Sequence, residues 1–187
     1  NSKQGATRKK ANPKKKKKAS NFPVVENPYK PGDIPVPGFL PPLDKIKTEM
    51  AQYYTSVRRA DRITGAVLKE LDKAELADNT LVMFLSDHGM PLPFAKTNCY
   101  YHSTRTPWIV RLPGVTKPGS VDRKNMVSGI DLAPTVLDIL GLEPLEGMDG
   151  RSFGPLLGGK EQSGRDRVFT HFHRTAGRRD YPMRSLL

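Results

Sequence analysis

The chain has 187 residues, with 31 Lys and Arg against 19 Asp and Glu, a formal net charge of +12 and a pI of about 9.9. This length suits one domain, or a large part of one, that buries a sizeable core. The composition excludes a wholly disordered chain, and no apolar run approaches the roughly 18 residues of a membrane-spanning helix. The single cysteine, Cys99, excludes an intramolecular disulfide framework.

The basic charge is concentrated in residues 1–20, which contain nine Lys and Arg and no acidic residue. The rest of the chain has 22 basic and 19 acidic residues, so its net charge is only +3. A lysine run without hydrophobic periodicity predicts a disordered, hydrated segment. The alternative is an arm that binds nucleic acid or a sulfated polysaccharide. The run does not resemble a signal peptide, because no apolar stretch follows it.

Residues 21–42 are rich in proline, which predicts an extended surface connection rather than a helix or strand. A strong amphipathic helix follows, because apolar residues recur at three- and four-residue steps from Ile46 to Leu71. Asp61 lies within this stripe, either as a structural partner or as an acid that orients a site.

Two strands and a further helix are predicted next. Residues 80–85 form a short apolar run that is typical of a strand buried on both faces, and residues 108–110 form a second. Asp131 is predicted to cap a helix that ends at Gly141. A long helix, a strand, a loop, a strand and a helix indicate an α/β sheet with covering helices.

The residues that could carry chemistry begin directly after the first strand. Asp87 and His88 lie in a turn at Gly89, and ligands of open α/β sheets bind outside the carboxyl ends of strands. A carboxylate oxygen and an imidazole nitrogen side by side suit a divalent cation, although such pairs are also common turn formers. Lys96 follows nine residues after Asp87. It is either a cation that neutralises a metal-held anion or an exposed loop lysine.

Several short blocks resemble type I sulfatases and occur in the same order. They are residues 65–71 (GAVLKEL), 79–89 (NTLVMFLSDHG), 96–100 (KTNCY), 106–114 (TPWIVRLPG) and 131–141 (DLAPTVLDILG). Residues 181–185 (YPMRS) resemble the heparan N-sulfatase (sulfamidase) branch and its bacterial relatives. The resemblance runs from about Asn21 to the C-terminus.

The resemblance implies an alkaline-phosphatase-like α/β/α sandwich that binds calcium. It implies that Asp87 is a metal-ligating carboxylate, that His88 stands where relatives have Asn or His, and that Lys96 faces the sulfate. In this family a formylglycine, made from Cys or Ser in a Cys/Ser-x-Pro-x-Arg motif, attacks sulfur while the cation and basic residues stabilise the growing negative charge.

The sequence departs from the family pattern at the nucleophile. It contains no Cys/Ser-x-Pro-x-Arg motif, and Cys99 is followed by Tyr-Tyr-His, so Cys99 cannot be the formylglycine precursor. The Asp pair that supplies further metal ligands in the family also has no counterpart. We therefore expect a partial catalytic domain that is inactive alone and needs the missing N-terminal half.

The resulting division of the chain has four parts. We expect a lysine-rich segment at residues 1–20, a proline-rich connection at 21–42, part of the catalytic α/β domain at 43–160 and the start of a C-terminal region at 161–187.

Three residues near the C-terminus are candidates for binding substrate. His171 and His173 alternate on a predicted strand and so face the same side. They are either contacts for a substrate or a metal, or structural histidines. Arg184 either contacts an anionic sugar or caps the sheet.

The function implied is hydrolysis of a sulfuric ester or sulfamate in a sulfated glycan such as heparan sulfate. One alternative is a zinc phosphodiesterase or nucleotide pyrophosphatase of the same superfamily, for which His88 would be a natural ligand. Another is a non-enzymatic protein that binds polyanions through residues 1–20. The sulfatase interpretation implies a periplasmic, secreted or lysosomal location, no membrane span and no nucleic-acid partner.

Overall fold

The computed structural model describes residues 24–173, 175–176 and 179–187, so the predicted lysine-rich segment at residues 1–20 lies outside the described residues. In chain order the elements are α1 (Asp44–Lys73), β1 (Val82–Leu85), α2 (Tyr101–Thr104), β2 (Trp108–Arg111), α3 (Leu132–Ile139), α4 (Gly154–Leu157), β3 (Phe169–Phe172), β4 (Thr175–Ala176), β5 (Arg179–Asp180) and β6 (Met183–Leu186). Short 3-10 turns lie at Ala77–Asn79 and Gly129–Asp131. None of the helices in the described ranges combines the length and apolarity that crossing a membrane requires.

Helix α1 is the predicted amphipathic helix and extends for 30 residues. Asp44 lies in its first turn and Lys73 in its last, where each charge interacts favourably with the helix dipole. Within the described structure, Met50 and Ala51 are the buried residues of this helix. The helix is confirmed, but other described residues leave most of its apolar stripe uncovered.

The proline-rich segment, residues 24–42, has neither helix nor strand and runs along α1. The Tyr29 amide donates to Thr55 Oγ1 at 3.0 Å, and the Arg58 guanidinium lies 4.0 Å from the centre of the Tyr29 ring. Arg58 also donates to the Asn27 carbonyl at 2.5 Å. The buried apolar cluster at the end of this segment consists of Leu40, Met50 and Leu92. The predicted extended connection is therefore attached to the helix that follows it.

Strands β1 and β2 pair antiparallel, with Val82 opposite Arg111 and Leu85 opposite Trp108. One face of this pair packs towards α4, because the Trp108 ring meets Phe153 edge-on at a centroid distance of 5.0 Å. The other face looks towards α1. The predicted α/β arrangement, with helices on both sides of a sheet, is present.

The strand predicted at residues 80–85 is confirmed, but the prediction that it is buried on both faces is wrong for this structure. Phe84 and Leu85 are each 39% exposed, and Ile109, opposite Phe84, is 62% exposed. The reason is that the sheet has two strands within the described ranges and is covered closely on one face only.

Helix α3 is confirmed, and Gly141 follows it with a φ of 67°. Asp131 stands at the N-cap position of α3, as predicted, but its side chain makes no capping hydrogen bond to that helix. Asp131 is the last residue of a 3-10 turn, and its carboxylate reaches back to accept from the Ser128 amide at 2.8 Å. It also accepts from the Arg151 amide at 3.0 Å and forms two 2.7 Å hydrogen bonds with the Arg165 guanidinium. The buried carboxylate therefore joins three segments and belongs to the capping box of the 3-10 turn, but it makes no bond to α3.

Strands β3 and β6 form a second antiparallel pair, in which His171 lies opposite Arg184 and Phe169 lies opposite Leu186. All four of these residues are exposed. The rings of His171 and His173 are 6.3 Å apart between centroids, so the prediction that they lie on the same side is confirmed. Strands β4 and β5 pair with each other beyond this ribbon.

Candidate functional site

The candidate site is the turn that begins directly after β1. Ser86 Oγ donates to the His88 carbonyl at 2.8 Å, and the His88 amide donates to Asp87 Oδ1 at 3.0 Å. The Ser86 amide lies 3.4 Å from the Pro107 carbonyl, just before β2. These bonds fix the backbone so that Asp87 and His88 project from the end of the strand.

The His88 ring has a polar neighbour at each of its nitrogens. Nδ1 lies 2.8 Å from the Gly89 carbonyl, and because a carbonyl can only accept, Nδ1 carries the hydrogen in that bond. Nε2 is then the nitrogen with the available lone pair, and it lies 3.2 Å from Asp87 Oδ2. The imidazole nitrogen and the carboxylate oxygen therefore lie side by side at the end of the strand.

These two donors fit part of a cation site. Calcium takes about six to eight oxygen ligands, which suits the Asp87 carboxylate, whereas the His88 nitrogen is a more typical zinc ligand. The described residues contain no group of three or more His, Cys, Asp or Glu side chains that could hold a metal ion. Asp87 and His88 can therefore supply part of a coordination sphere but do not complete it.

Gly89 is required by the close approach of two neighbouring segments. A Cβ placed on this residue would lie 2.0 Å from the His102 carbonyl oxygen and 2.5 Å from the Ala95 carbonyl oxygen. The Gly89 amide donates to the Ser103 carbonyl at 3.1 Å. The turn is thus held between α2 and the loop that contains Lys96. The sequence indicated a tight turn at this glycine, but the backbone contacts that demand it come from Ala95 and His102, which lie 6 and 13 positions later.

The loop between the turn and α2 contains two non-glycine residues with positive φ, Phe94 at 65° and Thr97 at 59°. Ala95 between them is fully buried. The Lys96 carbonyl accepts from Asn98 Nδ2 at 2.7 Å, while the Lys96 ammonium has no ion-pair partner among the described residues. Backbone dihedral angles in sparsely populated regions of φ/ψ space are maintained by the surrounding structure, and they are frequent at functional sites.

A groove of about 1140 Å³ opens beside this turn, between α1 and the exposed face of β1 and β2. Asp87 and His88 lie at its edge, and Asp61 from α1 also lines it, but Lys96 does not. Tyr53 lines the α1 wall, and burial, reinforced by the neighbouring Tyr54, raises the pKa of its hydroxyl above the usual value. The groove is therefore mainly apolar, with Asp87 and His88 at the strand end and Asp61 on the α1 wall.

The sequence analysis missed two residues that line the groove near the Asp87–His88 pair. The His102 ring stacks on Phe39 at a centroid distance of 4.0 Å and an angle of 17°. The Arg105 guanidinium lies 5.3 Å from the centre of the Tyr101 ring and hydrogen-bonds its hydroxyl. The run of aromatic residues before Arg105 was the signal in the sequence that could have indicated these residues. The contact of His102 with Phe39 could not be predicted, because these two residues are far apart in sequence.

The three candidates near the C-terminus lie outside the groove. His171 and Arg184 are opposite each other on the exposed face of the β3–β6 ribbon, and His173 Nε2 lies 3.6 Å from Asp180. Cys99 Sγ lies 3.8 Å from the Thr170 carbonyl, so the Lys96 loop runs beside this ribbon. The structure thus brings Asp87 and His88 together and places Lys96 on the neighbouring loop, which runs beside the ribbon of His171 and Arg184.

The sheet between helices, with an Asp–His pair directly after a strand, is part of an alkaline-phosphatase-like fold, as in the similar solved structures. The Sulfatase family model matches residues 2–142, about three quarters of the sequence, and the chain therefore belongs to the Sulfatase family. This match begins before Asn21, so it includes the lysine-rich segment that the resemblance did not cover.

Two curated relatives illustrate the similarity. The chain is 37% identical over 128 residues to an ulvan-active sulfatase of Formosa agariphila, covering 68% of this chain and 21% of that protein. It is 40% identical over 110 residues to human N-sulphoglucosamine sulphohydrolase, covering 59% of this chain and 22% of that protein. The chain thus spans about a fifth of the length of these relatives.

Two solved structures are similar in fold. The phosphonate monoester hydrolase SpPMH from Silicibacter pomeroyi matches with a TM-score of 0.63 and 33% identity, over 73% of this chain and 28% of that chain. BT4656, in complex with its substrate D-glucosamine-2-N,6-O-disulfate, matches with a TM-score of 0.60 and 28% identity, over 70% of this chain and 28% of that chain.

Proposed function

We propose that this chain is part of a sulfatase that hydrolyses a sulfuric ester or sulfamate in a sulfated glycan such as heparan sulfate. The observation that carries the proposal is the Asp87–His88 pair, held at the end of β1 by the close contacts of Gly89, in a chain of the Sulfatase family. The names of two similar proteins support the substrate class, since one is an N-sulphoglucosamine sulphohydrolase and the other is bound to a sulfated glucosamine.

In this proposal Asp87 and His88 hold part of the coordination sphere of a calcium ion. The ion, when bound, supplies positive charge that polarises the sulfate oxygens. The His88 amide donates a hydrogen bond to the Asp87 carboxylate, and this bond holds the short aspartate side chain in place. Lys96 provides a further positive charge, and its lack of an ion-pair partner within the described ranges leaves that charge available to an anion.

The nucleophile is proposed to come from residues other than these 187, because the sequence contains no Cys/Ser-x-Pro-x-Arg motif. These 187 residues alone are accordingly expected to be inactive, and the N-terminal half of the catalytic domain is the partner that activity requires. A periplasmic, secreted or lysosomal location is proposed on the same family resemblance.

The outer face of the β3–β6 ribbon is proposed to contact the sugar. His171 and Arg184 lie opposite each other there, which presents an imidazole and a guanidinium to an anionic saccharide. The contact of Cys99 with Thr170 places this ribbon beside the loop of Lys96.

A second candidate function is hydrolysis of a phosphonate or phosphate ester. The specific observation in its favour is the 33% identity and TM-score of 0.63 with a phosphonate monoester hydrolase. His88 Nε2, which carries no hydrogen when Nδ1 donates to the Gly89 carbonyl, also suits zinc, as a phosphodiesterase of this superfamily would need.

A chimeric enzyme tests the first function against the second. The segment of human N-sulphoglucosamine sulphohydrolase that matches this chain would be replaced by the corresponding residues of this chain, and hydrolysis of N-sulfated glucosamine and of a phosphonate monoester would be measured. We expect sulfamate hydrolysis that falls by roughly 10²–10³ in kcat for Asp87→Asn or Lys96→Ala.

The matched controls are Asp72→Asn and Lys69→Ala, which change exposed side chains of α1 and are expected to leave kcat unchanged. A folded chimera that hydrolyses the phosphonate but not the sulfamate would contradict the sulfatase proposal and support the second function. Equal losses in the site and control variants would show that Asp87 and Lys96 have no special role.

A further inference from the structure

Two aromatic side chains lie exposed on the loop that contains Lys96. Phe94 is 51% exposed and Tyr100 is 58% exposed, and their ring centroids are 5.8 Å apart with the ring planes inclined by 50°. Neither residue lines the groove beside α1, so the two rings form a separate surface. Single exposed apolar side chains are ordinary, whereas apolar side chains grouped among polar ones mark binding surfaces. We call this pair of rings the aromatic platform.

The backbone holds the platform in a defined conformation. Phe94 has a φ of 65°, in the left-handed region that bulky residues rarely adopt, and it follows Pro93, whose own φ is fixed by its ring. The Tyr100 amide donates to Asn98 Oδ1 at 2.9 Å, and Asn98 Nδ2 donates to the Lys96 carbonyl at 2.7 Å. The loop is therefore ordered before a ligand arrives, which lowers the entropic cost of binding.

The loop of the platform lies against the candidate site at one point and against the β3–β6 ribbon at another. Ala95 is fully buried, and its carbonyl is one of the two that close around Gly89. Cys99 Sγ lies 3.8 Å from the Thr170 carbonyl of the ribbon. The two rings belong to the residues next to Ala95 and Cys99 in the sequence. The platform therefore adjoins both regions to which the proposed function assigns contacts with the metal or the substrate.

A ligand that combines an apolar ring face with a negative charge is complementary to these surroundings. A pyranose ring presents C–H groups of partial positive charge on its faces, and the face of an aromatic ring carries partial negative charge that attracts them. Lys96, between the two aromatic residues in the sequence, supplies a positive charge for a sulfate attached to the sugar. A sulfated saccharide has both properties.

We propose that Phe94 and Tyr100 stack against the sugar ring of the substrate while Lys96 faces its sulfate. The platform recognises the saccharide and not the sulfur centre, so it determines the preference for a glycan over other sulfates. The inference rests on the proposed sulfated-glycan substrate, but it concerns binding, and its test needs no hydrolysis.

Two probes separate the platform from the sulfate contact. N-sulfated glucosamine and inorganic sulfate would each be titrated into the chimeric enzyme, with binding followed by NMR. We expect Phe94→Leu and Tyr100→Leu each to weaken binding of the sulfated sugar by about three- to tenfold, as the loss of an aromatic contact predicts. Both variants should leave the affinity for inorganic sulfate unchanged, whereas Lys96→Ala should weaken the binding of both probes.

The matched controls keep an aromatic ring at each position. Phe94→Tyr and Tyr100→Phe should retain the affinity for the sulfated sugar, which a role limited to side-chain shape at the leucine variants would not explain. Val121→Ala changes a side chain that is 69% exposed elsewhere in the chain, and it should have no effect. Saturation-transfer-difference NMR should show transfer to the ring C–H protons of the sugar, and this transfer should fall in the leucine variants.

Three outcomes would overturn the inference. The first is an affinity for the sulfated sugar that is the same in the leucine variants as in the unmutated chimera, including no affinity in either. The second is an equal loss of affinity for the sugar and for inorganic sulfate. The third is a lower thermal unfolding midpoint of the leucine variants with unchanged sugar affinity, which would show that the rings pack against another segment of the enzyme.

The proposed function fails in a different way from the platform. A chimera that binds the sugar through the two rings but hydrolyses no sulfamate would contradict the proposed function and support this inference. A chimera that hydrolyses the sulfamate equally well without the rings would do the reverse.

Discussion

Gly89 determines where Asp87 and His88 can stand, although it has no side chain of its own. Its Cα faces the backbone carbonyls of Ala95 and His102, and a methyl group would overlap both. The obstruction is main chain, which cannot rotate away as a flexible side chain could. The position of the site thus depends on three segments that meet at one glycine.

Gly89→Ala should therefore destabilise the chain and displace the turn. Forcing a methyl group into a filled space costs about 1–3 kcal/mol, and relief of the overlap would move the His88 ring from the Gly89 carbonyl. Urea unfolding would measure the stability, and the NMR signals of the His88 ring would report the displacement.

The comparison variant is Gly38→Ala, where a Cβ meets no atom within 4 Å and the backbone φ is not positive. It should leave both the unfolding midpoint and the His88 signals unchanged. If Gly89→Ala behaved in the same way, the close approach at Gly89 would not constrain the site.

At the scale of elements, α1 combines favourable charges in its first and last turns with a glycine in its interior. Gly65 lies at an exposed position of the helix with open space around its Cα. Glycine in a helix interior costs roughly 0.5–1 kcal/mol relative to alanine. Gly65→Ala should therefore raise the free energy of unfolding by about that amount, measured by urea titration followed at the helical circular dichroism band. A loss of stability would mean that this part of α1 is not helical.

The link between α3 and the segment before β3 depends on one buried ion pair. The Asp131 side chain is 3% exposed and the Arg165 side chain 16% exposed, and two hydrogen bonds join them. Removing one partner of such a pair leaves a buried charge uncompensated and typically costs about 3–5 kcal/mol. Asp131→Asn should thus lower stability strongly in thermal or urea unfolding.

The control for that variant is the exposed pair of Asp166 with Arg167, whose N–O distance is the same 2.7 Å. The hydrogen bond from Arg167 lowers the pKa of the Asp166 carboxyl, but solvent screens the interaction. Asp166→Asn should produce no measurable change in stability. Similar effects of the two substitutions would show that burial does not distinguish the pairs.

The same elements show what the sequence could and could not predict. The pattern of apolar residues predicted helices α1 and α3 and both strands of the first sheet. Gly141 predicted the end of α3. The N-cap position of Asp131 was predicted but the partners of its carboxylate were not, because a cap and a long-range ion pair both place an acid before a helix. Its partner Arg165 is 34 residues away, and local pattern contains no information on that distance.

At the scale of the whole molecule, the amino-acid composition gives the net charge but does not identify the candidate site. The described part of the chain belongs to the nearly neutral portion of the sequence, and the site candidates Asp87, His88 and Lys96 were identified from their positions relative to a strand. The assignment of Lys96 to an anion remains a prediction. Burial was the hardest property to predict. Phe84 and Ile109 lie in apolar stretches of sequence, which are typical of buried strands, but their side chains are exposed.

The attachment of the proline-rich segment to α1 has a consequence for the order of folding. The bond from Tyr29 to Thr55 spans 26 residues and the bond from Arg58 to Asn27 spans 31. Loops of this size close at a modest entropic cost, and both bonds lie within residues 27–58, which precede β1 and β2 in the chain. During vectorial synthesis, this unit can therefore assemble around the first half of α1 while the strands that follow are still being made, which gives the later sheet a preformed surface to meet.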